Sequence, residues 1–173
     1  WNAVNSDFCN CTSENKNCYL VFGGDYNEDC SYSTFNMYSR GSQDLYLVEK
    51  CDLSYECTDS QECYKVCYAQ YSKSCTDSMF LYDCINCTDC VGCVSLRNKS
   101  HCIWNIEYTK EEYEQKKKEM ALDTRSGIDN IRTQFEAFKL NFPHRYAHII
   151  RSVNCTGDNI TNAKNCSNCF DIV

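Results

Sequence analysis

The sequence predicts a mainly β fold: a single-stranded β-solenoid (β-helix) with cysteine ladders, plus a helical segment of two helices near residues 109–142. Three observations support this prediction. Small and apolar residues, many of them cysteine, recur in steps of six; short strand-like pieces alternate with turn residues; and the pattern changes to a helical one at Tyr108.

The first observation is a structural ladder of positions six residues apart. It runs over Cys51, Cys57, Cys63, Ala69, Cys75, Leu81, Cys87 and Cys93. A second column, three residues further on, is also small or apolar from Ser54 to Leu96. A step of six conflicts with the helical period of 3.6 and suits a coil with six-residue sides. We therefore expect both columns to point inward, in a little over two turns of a triangular coil.

The second observation concerns the segment from Trp1 to about Trp104. Aromatic and β-branched pieces such as Cys18–Phe22, Asp44–Val48 and Met79–Tyr82 are divided by Asn, Asp, Ser and Gly. Such pieces are typical of strands of three to five residues with frequent turns. The chain has a single proline, so little interrupts backbone pairing here.

The third observation is the helical segment. Thr109 and Glu112 have the spacing of a capping box, which predicts a helix from Thr109 to about Leu122. Ser126 resembles a second helix start, and Pro143 is expected to end that helix. Its apolar stripe should pack on the end or side of the solenoid, as terminal caps do. The stripe consists of Ile128, Ile131, Phe135, Phe138 and Phe142.

These elements predict one domain over residues 1–173, with a solenoid at 1–104, a helical segment at 105–148 that packs on or caps it, and a final β segment at 149–173. The final segment repeats the composition of the opening one, so we expect it to add strands to the same solenoid.

Composition limits the partners and the compartment. The net charge of −7 argues against nucleic acid, whose affinity rests on Lys and Arg. No run approaches the ~18 apolar residues of a membrane-spanning helix.

The 17 cysteines are an odd number, so at least one is unpaired within the chain. Reduced thiols would indicate the cytoplasm or a virion, and disulfides the extracellular space. Six Asn-x-Ser/Thr sequons begin at Asn10, Asn86, Asn98, Asn154, Asn159 and Asn165.

Several phrases carry a resemblance to a known group: Asn17–Cys30, Leu96–Lys99 with Cys102-Ile103, Tyr108–Glu114, Phe142–Arg145 and Asn154–Asp158. With these, nearly the whole chain resembles uncharacterised cysteine-rich proteins from uncultured bacteria and viruses. Members of that group begin with a zinc-ribbon-like region of paired cysteines, which is absent here. The resemblance implies the C-terminal domain of a longer protein and implies no activity.

The strongest candidate for chemistry is a run of four thiols three residues apart, Cys84, Cys87, Cys90 and Cys93. Four thiolates suffice for a structural zinc site, and part of the spacing resembles an iron–sulfur loop. However, all four also belong to the two small columns, and a buried free cysteine behaves as a small apolar residue. Packing, zinc binding and disulfide formation therefore remain as alternatives.

Other candidates are weaker. His101 adjoins Cys102, but neighbours on a strand point to opposite faces. His144 and His148 would share a helical face only if a helix began at Pro143. The acidic positions Asp59, Asp77, Asp83 and Asp89 could form a carboxylate row for sugar cleavage or Ca²⁺ binding. The 13 tyrosines could stack on sugars or bases.

The sequence thus predicts a non-catalytic structural or binding module of a larger protein, with a protein partner and no required cofactor. The alternatives are a zinc- or iron–sulfur-binding module using the run from Cys84 to Cys93, and a carbohydrate-binding or carbohydrate-active solenoid.

Overall fold

The structure is a computed structural model that describes residues 4–12, 14–24, 27–32, 34–40, 46–52 and 61–172. It is mainly β, with two helices. The strands are β1 (Asn10–Thr12), β2 (Asn15–Lys16), β3 (Phe22–Gly24), β4 (Asn27–Glu28), β5 (Thr34–Arg40), β6 (Tyr46–Asp52), β7 (Gln61–Gln70), β8 (Thr76–Tyr82), β9 (Thr88–Val94), β10 (Ser100–Ile103), β11 (Ile106–Glu107), β12 (Ile149–Ile150), β13 (Gly157–Thr161) and β14 (Cys169–Ile172). The helices are α1 (Lys110–Glu119) and α2 (Arg125–Lys139).

The strands from β1 to β10 pair in parallel with a constant register. Asn10 lies opposite Phe22, Thr76 opposite Thr88, and Thr88 opposite Ser100, each partner being twelve residues further along the chain. The same offset holds in the middle of the sheet, where Cys51 lies opposite Cys63. The chain therefore advances by one layer of the sheet for every twelve residues.

This register corrects the expected coil geometry. A triangular coil with three six-residue sides would place paired residues further apart than the observed twelve. Two steps of the ladder complete one layer, so the seven steps from Cys51 to Cys93 make three and a half layers. The repeat also extends back to Val4, which is bridged to Lys16, although the ladder pattern is loose there.

The backbone conformation explains why the repeat is short. From Lys65 to Trp104 every third residue has a positive φ, which turns the chain, and the residue that follows points inward. Each layer therefore has four corners and four inward positions. Asn and Asp, which tolerate this left-handed conformation best among residues with a side chain, occupy many corners.

The first helix begins where the sequence predicts it and ends at Glu119, earlier than the expected Leu122. Thr109 is the N-cap of α1, its hydroxyl accepts the Glu112 backbone N–H at 3.3 Å, and the Glu112 carboxylate accepts the Thr109 N–H at 3.0 Å. The predicted capping box is thus present. Tyr113, on the next turn, is completely buried.

The second helix differs at both ends from the prediction. α2 begins at Arg125, after Thr124, whose hydroxyl accepts the Gly127 N–H at 3.1 Å; Ser126 lies inside the helix. It ends at Lys139, so Pro143 is not what terminates it, and Phe142 lies beyond the helix. Within the predicted stripe, Ile131 and Phe135 are buried.

Strands β1 to β11 form one sheet, which we call the large sheet, and local contacts cover its C-terminal edge. β11 turns back antiparallel on β10. The Asn105 side-chain amide takes the place of a further strand: it accepts the Val94 N–H and donates to the Val94 carbonyl, both at 2.9 Å. Lys99, at an inward position of the repeat, is exposed and pairs with Glu107 at 2.7 Å. A charged residue at this position ends the apolar column.

The chain forms two compact units, Trp1–Lys139 and Leu140–Val173. In the second unit, β12, β13 and β14 pair in parallel in a three-stranded sheet. Its register is eleven residues between β12 and β13 and twelve between β13 and β14. In the described part of the chain these strands form a sheet of their own, which corrects the expectation that they add to the first one.

No helix in the described ranges combines the length and the apolar composition needed to cross a membrane.

Candidate functional site

The four thiols singled out by their spacing occupy one layer of the large sheet. Cys84, Cys87, Cys90 and Cys93 each follow a corner residue with positive φ, and each has an exposed fraction of 0%. Because a layer has four inward positions, these residues fill one complete layer with cysteine. The sequence predicts the run of four thiols, but their place in a single layer follows only from the twelve-residue register.

Each of these thiols contacts backbone carbonyls. The Cys84 Sγ donates to the Tyr82 carbonyl at 3.5 Å and to the Cys93 carbonyl at 3.4 Å. The Cys93 Sγ repeats this pattern with Val91 at 3.4 Å and Cys102 at 3.5 Å. Each of these two thiols thus donates to the carbonyl two residues earlier and to the carbonyl nine residues later.

Serine makes the equivalent contacts at other inward positions. The Ser78 hydroxyl donates to the Thr76 carbonyl at 2.7 Å and accepts the Cys90 N–H at 3.1 Å. Ser72 likewise donates to Gln70 and accepts the Cys84 N–H at 3.3 Å. Small side chains with a hydrogen-bond donor, whether oxygen or sulfur, therefore share the inward positions with apolar side chains such as Val66, Ala69 and Leu81.

The thiols influence one another's acidity. The contact with Cys87, followed by burial, raises the pKa of Cys84, and contacts with Cys87 and Cys93 raise the pKa of Cys90. The contacts with Cys75, Cys84 and Cys90 lower the pKa of Cys87. Burial raises the pKa of Cys102 to about 11. The contact with Cys90 likewise lowers the pKa of Cys93. The shifts at Cys84, Cys90 and Cys102 favour the neutral thiol.

The rest of the ladder lies in the same core. Ala69, Cys75, Leu81, Cys87 and Cys93 all have an exposed fraction of 0% and form one cluster with Val66 and Cys102. Cys51 lies on β6 and Cys63 on β7, opposite each other, while Cys57 lies outside the described residues.

The described cysteine side chains are free thiols. Within the same residues, no group of three or more His, Cys, Asp or Glu side chains is arranged to hold a metal ion. The four thiols of the Cys84–Cys93 layer share a layer and sulfur contacts, and they are the residues that would hold zinc if the layer contracted around it.

The acidic row does not form. Asp77 and Asp89 lie twelve residues apart in one column, where Asp77 approaches Lys65 at 3.9 Å and Asp89 approaches His101 at 3.6 Å. Asp83 is half a layer away and pairs with Arg97 at 2.9 Å. Asp59 lies outside the described residues. Asp83 therefore does not share the column of Asp77 and Asp89, and each of the three carboxylates lies beside a basic side chain, unlike the paired acids of a glycosidase.

The histidines do not form a catalytic pair with a thiol. His101 is a corner residue whose ring packs edge-on against Tyr113 with centroids 5.7 Å apart, whereas the adjacent Cys102 points into the core. His144 and His148 share no helix, because α2 ends at Lys139. The His148 Nδ1 lies 3.3 Å from the Asp158 carboxylate, and the His148 N–H, the main cause, holds the pKa of Asp158 below its usual range.

An aromatic column on the outside of the large sheet is a feature that step-of-six counting does not find. Tyr68, Phe80, Gly92 and Trp104 follow one another at intervals of twelve and all have positive φ. Tyr68 and Phe80 stack with centroids 4.7 Å apart. α2 covers this column: Phe135 lies 5.9 Å from Phe80 and Phe138 lies 5.3 Å from Trp104, centroid to centroid.

Gly92 makes room for this covering. A Cβ atom at Gly92 would lie 2.7 Å from the Trp104 ring, so only glycine lets the indole lie across the column. The sequence does contain the evidence for this column, since its aromatic residues recur at multiples of twelve. It can be recognised only after the structure has shown that the repeat is twelve residues long.

In comparison with known proteins, the chain matches no protein-family model and no curated protein.

Proposed function

We propose that the chain is a non-catalytic structural or binding module, a rigid cysteine-rich β-solenoid within a larger protein. The observation that carries this proposal is the constant twelve-residue register, from the bridge between Val4 and Lys16 to the pairing of Val91 with Ile103. Layers stacked in this way hold their outer side chains at a fixed spacing of about 4.8 Å, which suits a scaffold for protein contact.

The filled interior supports the same proposal. Inward side chains from Val66 to Cys93 are fully buried, and their donors bond to backbone carbonyls. A cysteine in this setting is a small core residue with a weak donor. The sulfur atoms then need neither a metal nor an oxidant to account for their number.

Thiol counting on unreduced protein tests the proposal. A packed core predicts an intact mass with all 17 thiols protonated and no retained metal. It also predicts that brief alkylation of the native protein modifies half-buried Cys155, Cys166 and Cys169 before the buried Cys84–Cys93 layer. About sixteen missing hydrogens, or rapid labelling of the buried layer, would contradict it.

A zinc- or iron–sulfur-binding module is the second candidate, and the observation that favours it is the complete layer of four cysteines. Retention of one equivalent of zinc or iron after dialysis, with loss on Cys87→Ser but not on the matched control Cys169→Ser, would establish this alternative. Metal binding would also release protons, because the bound sulfurs are thiolates.

The carbohydrate-active alternative is less well supported, because Asp83 lies half a layer away from Asp77 and Asp89 and each carboxylate lies beside a basic side chain. It requires a polysaccharide to be cleaved or bound in a manner sensitive to Asp83→Asn. Equal glycan-array signals for the Asp83→Asn variant and the parent protein would contradict this alternative.

A further inference from the structure

The face of the large sheet that α1 and α2 cover continues toward the N-terminus. The covered part of this face consists of the aromatic column and of residues beside it. The column residues are Tyr68, Phe80 and Trp104. The residues beside them are Val91, Ile103 and His101. Counting back in twelves from Tyr68 passes Glu56 and Asp44, which lie outside the described residues, and then reaches Tyr32, Leu20 and Phe8. Counting back from Val91 in the same way leads to Ser31, Tyr19 and Asp7. The register is unbroken between the two parts where both are described, since Ser39 lies opposite Cys51 and Cys51 opposite Cys63.

The N-terminal part of this face also carries aromatic rings that contact one another. We call it the open aromatic face, and it consists of Phe8, Tyr19 and Tyr32. Phe8 and Tyr19 meet edge to face with centroids 5.8 Å apart, and Tyr19 meets Tyr32 in the same way at 5.7 Å. Their exposed fractions are 71%, 41% and 57%, which is high for three adjoining rings.

A polar border runs beside these rings. The Asn5 amide donates to Asn17 at 3.4 Å, and the Asn17 amide donates to the Asp29 carboxylate at 2.9 Å. Asp7 and Asp29 are exposed and give this border a negative charge. An aromatic strip with an acidic border complements an apolar surface that is flanked by Lys or Arg.

The chain itself shows what such a face accepts. On the covered part, Ile131, Phe135 and Phe138 form an i, i+4, i+7 stripe on α2, and Phe135 and Phe138 contact rings of the column. The Arg132 guanidinium lies 5.6 Å from the centroid of the Tyr68 ring, as in a cation–π contact. The established interface is therefore an amphipathic helix with aromatic anchors and a basic edge, laid across stacked rings.

We propose that the open aromatic face of Phe8, Tyr19 and Tyr32 is a docking surface for an amphipathic helix of a partner polypeptide, with aromatic or aliphatic anchors at i, i+4, i+7 and Arg or Lys beside them. This inference rests on the proposed function as a binding scaffold and names the partner class. Continuity with the α2 interface and the acidic border favour a basic helix over a neutral glycan, because flat sugar stacking needs exposed ring faces and these rings meet edge to face.

A synthetic peptide of residues 124–142, which contains the α2 stripe, is the probe. We expect saturable binding of the labelled peptide to the full chain in fluorescence anisotropy. Phe8→Ala and Tyr32→Ala should each weaken it by about tenfold, as for aromatic anchors at interfaces. Phe170→Ala, which removes an exposed ring of the other unit, is the matched control and should leave it unchanged.

A second arm locates the probe. A photo-crosslinker at position 138 of the peptide should attach to residues 4–32. Attachment to residues 61–104 would mean that the peptide only exchanges with the chain's own α2, and it would overturn the proposal. A peptide with Phe135→Ser and Phe138→Ser should not bind; equal binding would also overturn it.

Three further outcomes contradict the inference: binding that is unaffected by Phe8→Ala and Tyr32→Ala, a dimer in light scattering that those substitutions dissolve, or cellohexaose binding that they abolish. A variant is used only if its circular dichroism spectrum matches that of the parent protein. A variant that unfolds is replaced by Tyr32→Arg, which keeps a long side chain and adds a charge to the face. If the peptide does not bind and the thiols are free and carry no metal, only the docking surface is refuted. If the protein retains bound metal, the proposed function itself is refuted.

Discussion

At single inward positions, cysteine and serine make the same contacts. Cys84 and Ser72 occupy the same column one layer apart, and both donate to the carbonyl two residues earlier, Tyr82 and Gln70 respectively. The Ser72 hydroxyl in turn accepts the Cys84 N–H. A small side chain with a donor can thus bond to a backbone carbonyl at such a position, whereas Ala69 and Leu81 have no donor and are equally buried at other inward positions.

This equivalence predicts the outcome of substitutions at Cys84. Cys84→Ser keeps a donor near the Tyr82 and Cys93 carbonyls and should cost about 1 kcal/mol or less in the free energy of unfolding. Cys84→Ala removes the donor and leaves a small cavity, so it should cost about 1–3 kcal/mol. Urea denaturation monitored by circular dichroism measures both. Equal losses for the two variants would show that the hydrogen bonds contribute nothing.

Among the elements, α2 is held on the sheet by a contact that glycine permits. Trp104 lies over Gly92, which has a φ of +65°, and Phe138 packs against the indole. The helix is therefore positioned by the column beneath it as well as by its own amphipathic pattern.

Replacing this glycine should loosen the helix. Gly92→Ala places a Cβ atom 2.7 Å from the Trp104 ring and in a left-handed conformation, so it should cost about 2–3 kcal/mol. In a Trp1→Phe background, Trp104 fluorescence should shift toward that of exposed indole, and amide exchange in α2 should accelerate. Phe138→Ala, which removes the helix side of the same contact, should reproduce both changes. Unchanged Trp104 fluorescence in Gly92→Ala would refute this account of the docking.

For the whole molecule, burying many thiols makes stability sensitive to alkaline pH. Burial raises the pKa of Cys102 to about 11, from a usual value of 9.0, and burial also raises the pKa of Cys18. Between pH 9 and 11 the unfolded chain has lost the Cys102 proton while the folded chain keeps it. The unfolded state then binds fewer protons, so the free energy of unfolding falls as the pH rises through this window.

Urea midpoints measured from pH 8 to pH 11 check this expectation. The midpoint should fall above pH 9, and the fall should be shallower for Cys102→Ser, in which the titrating group is absent. A midpoint that is constant to pH 11, or identical slopes for the parent and Cys102→Ser, would contradict it.

The sequence determined the local features of this protein. The small columns from Val66 to Cys93 are inward and buried, and the capping box of Thr109 and Glu112 starts a helix, because burial of small residues and capping depend on near neighbours. The end of α2 is less well predicted, since helices end where packing no longer supports them and not only at proline.

Only the tertiary structure decided the number of residues in each layer. A step of six fits either two or three steps of the ladder per layer, and the choice is made by backbone pairing between residues twelve apart, such as Thr76 and Thr88. That choice brings Cys84, Cys87, Cys90 and Cys93 into one layer and separates Asp83 from Asp77 and Asp89. It also lines up Phe8, Tyr32, Tyr68 and Phe80 on one side. Non-local pairing fixes which outer side chains become neighbours, and the candidate sites follow from it.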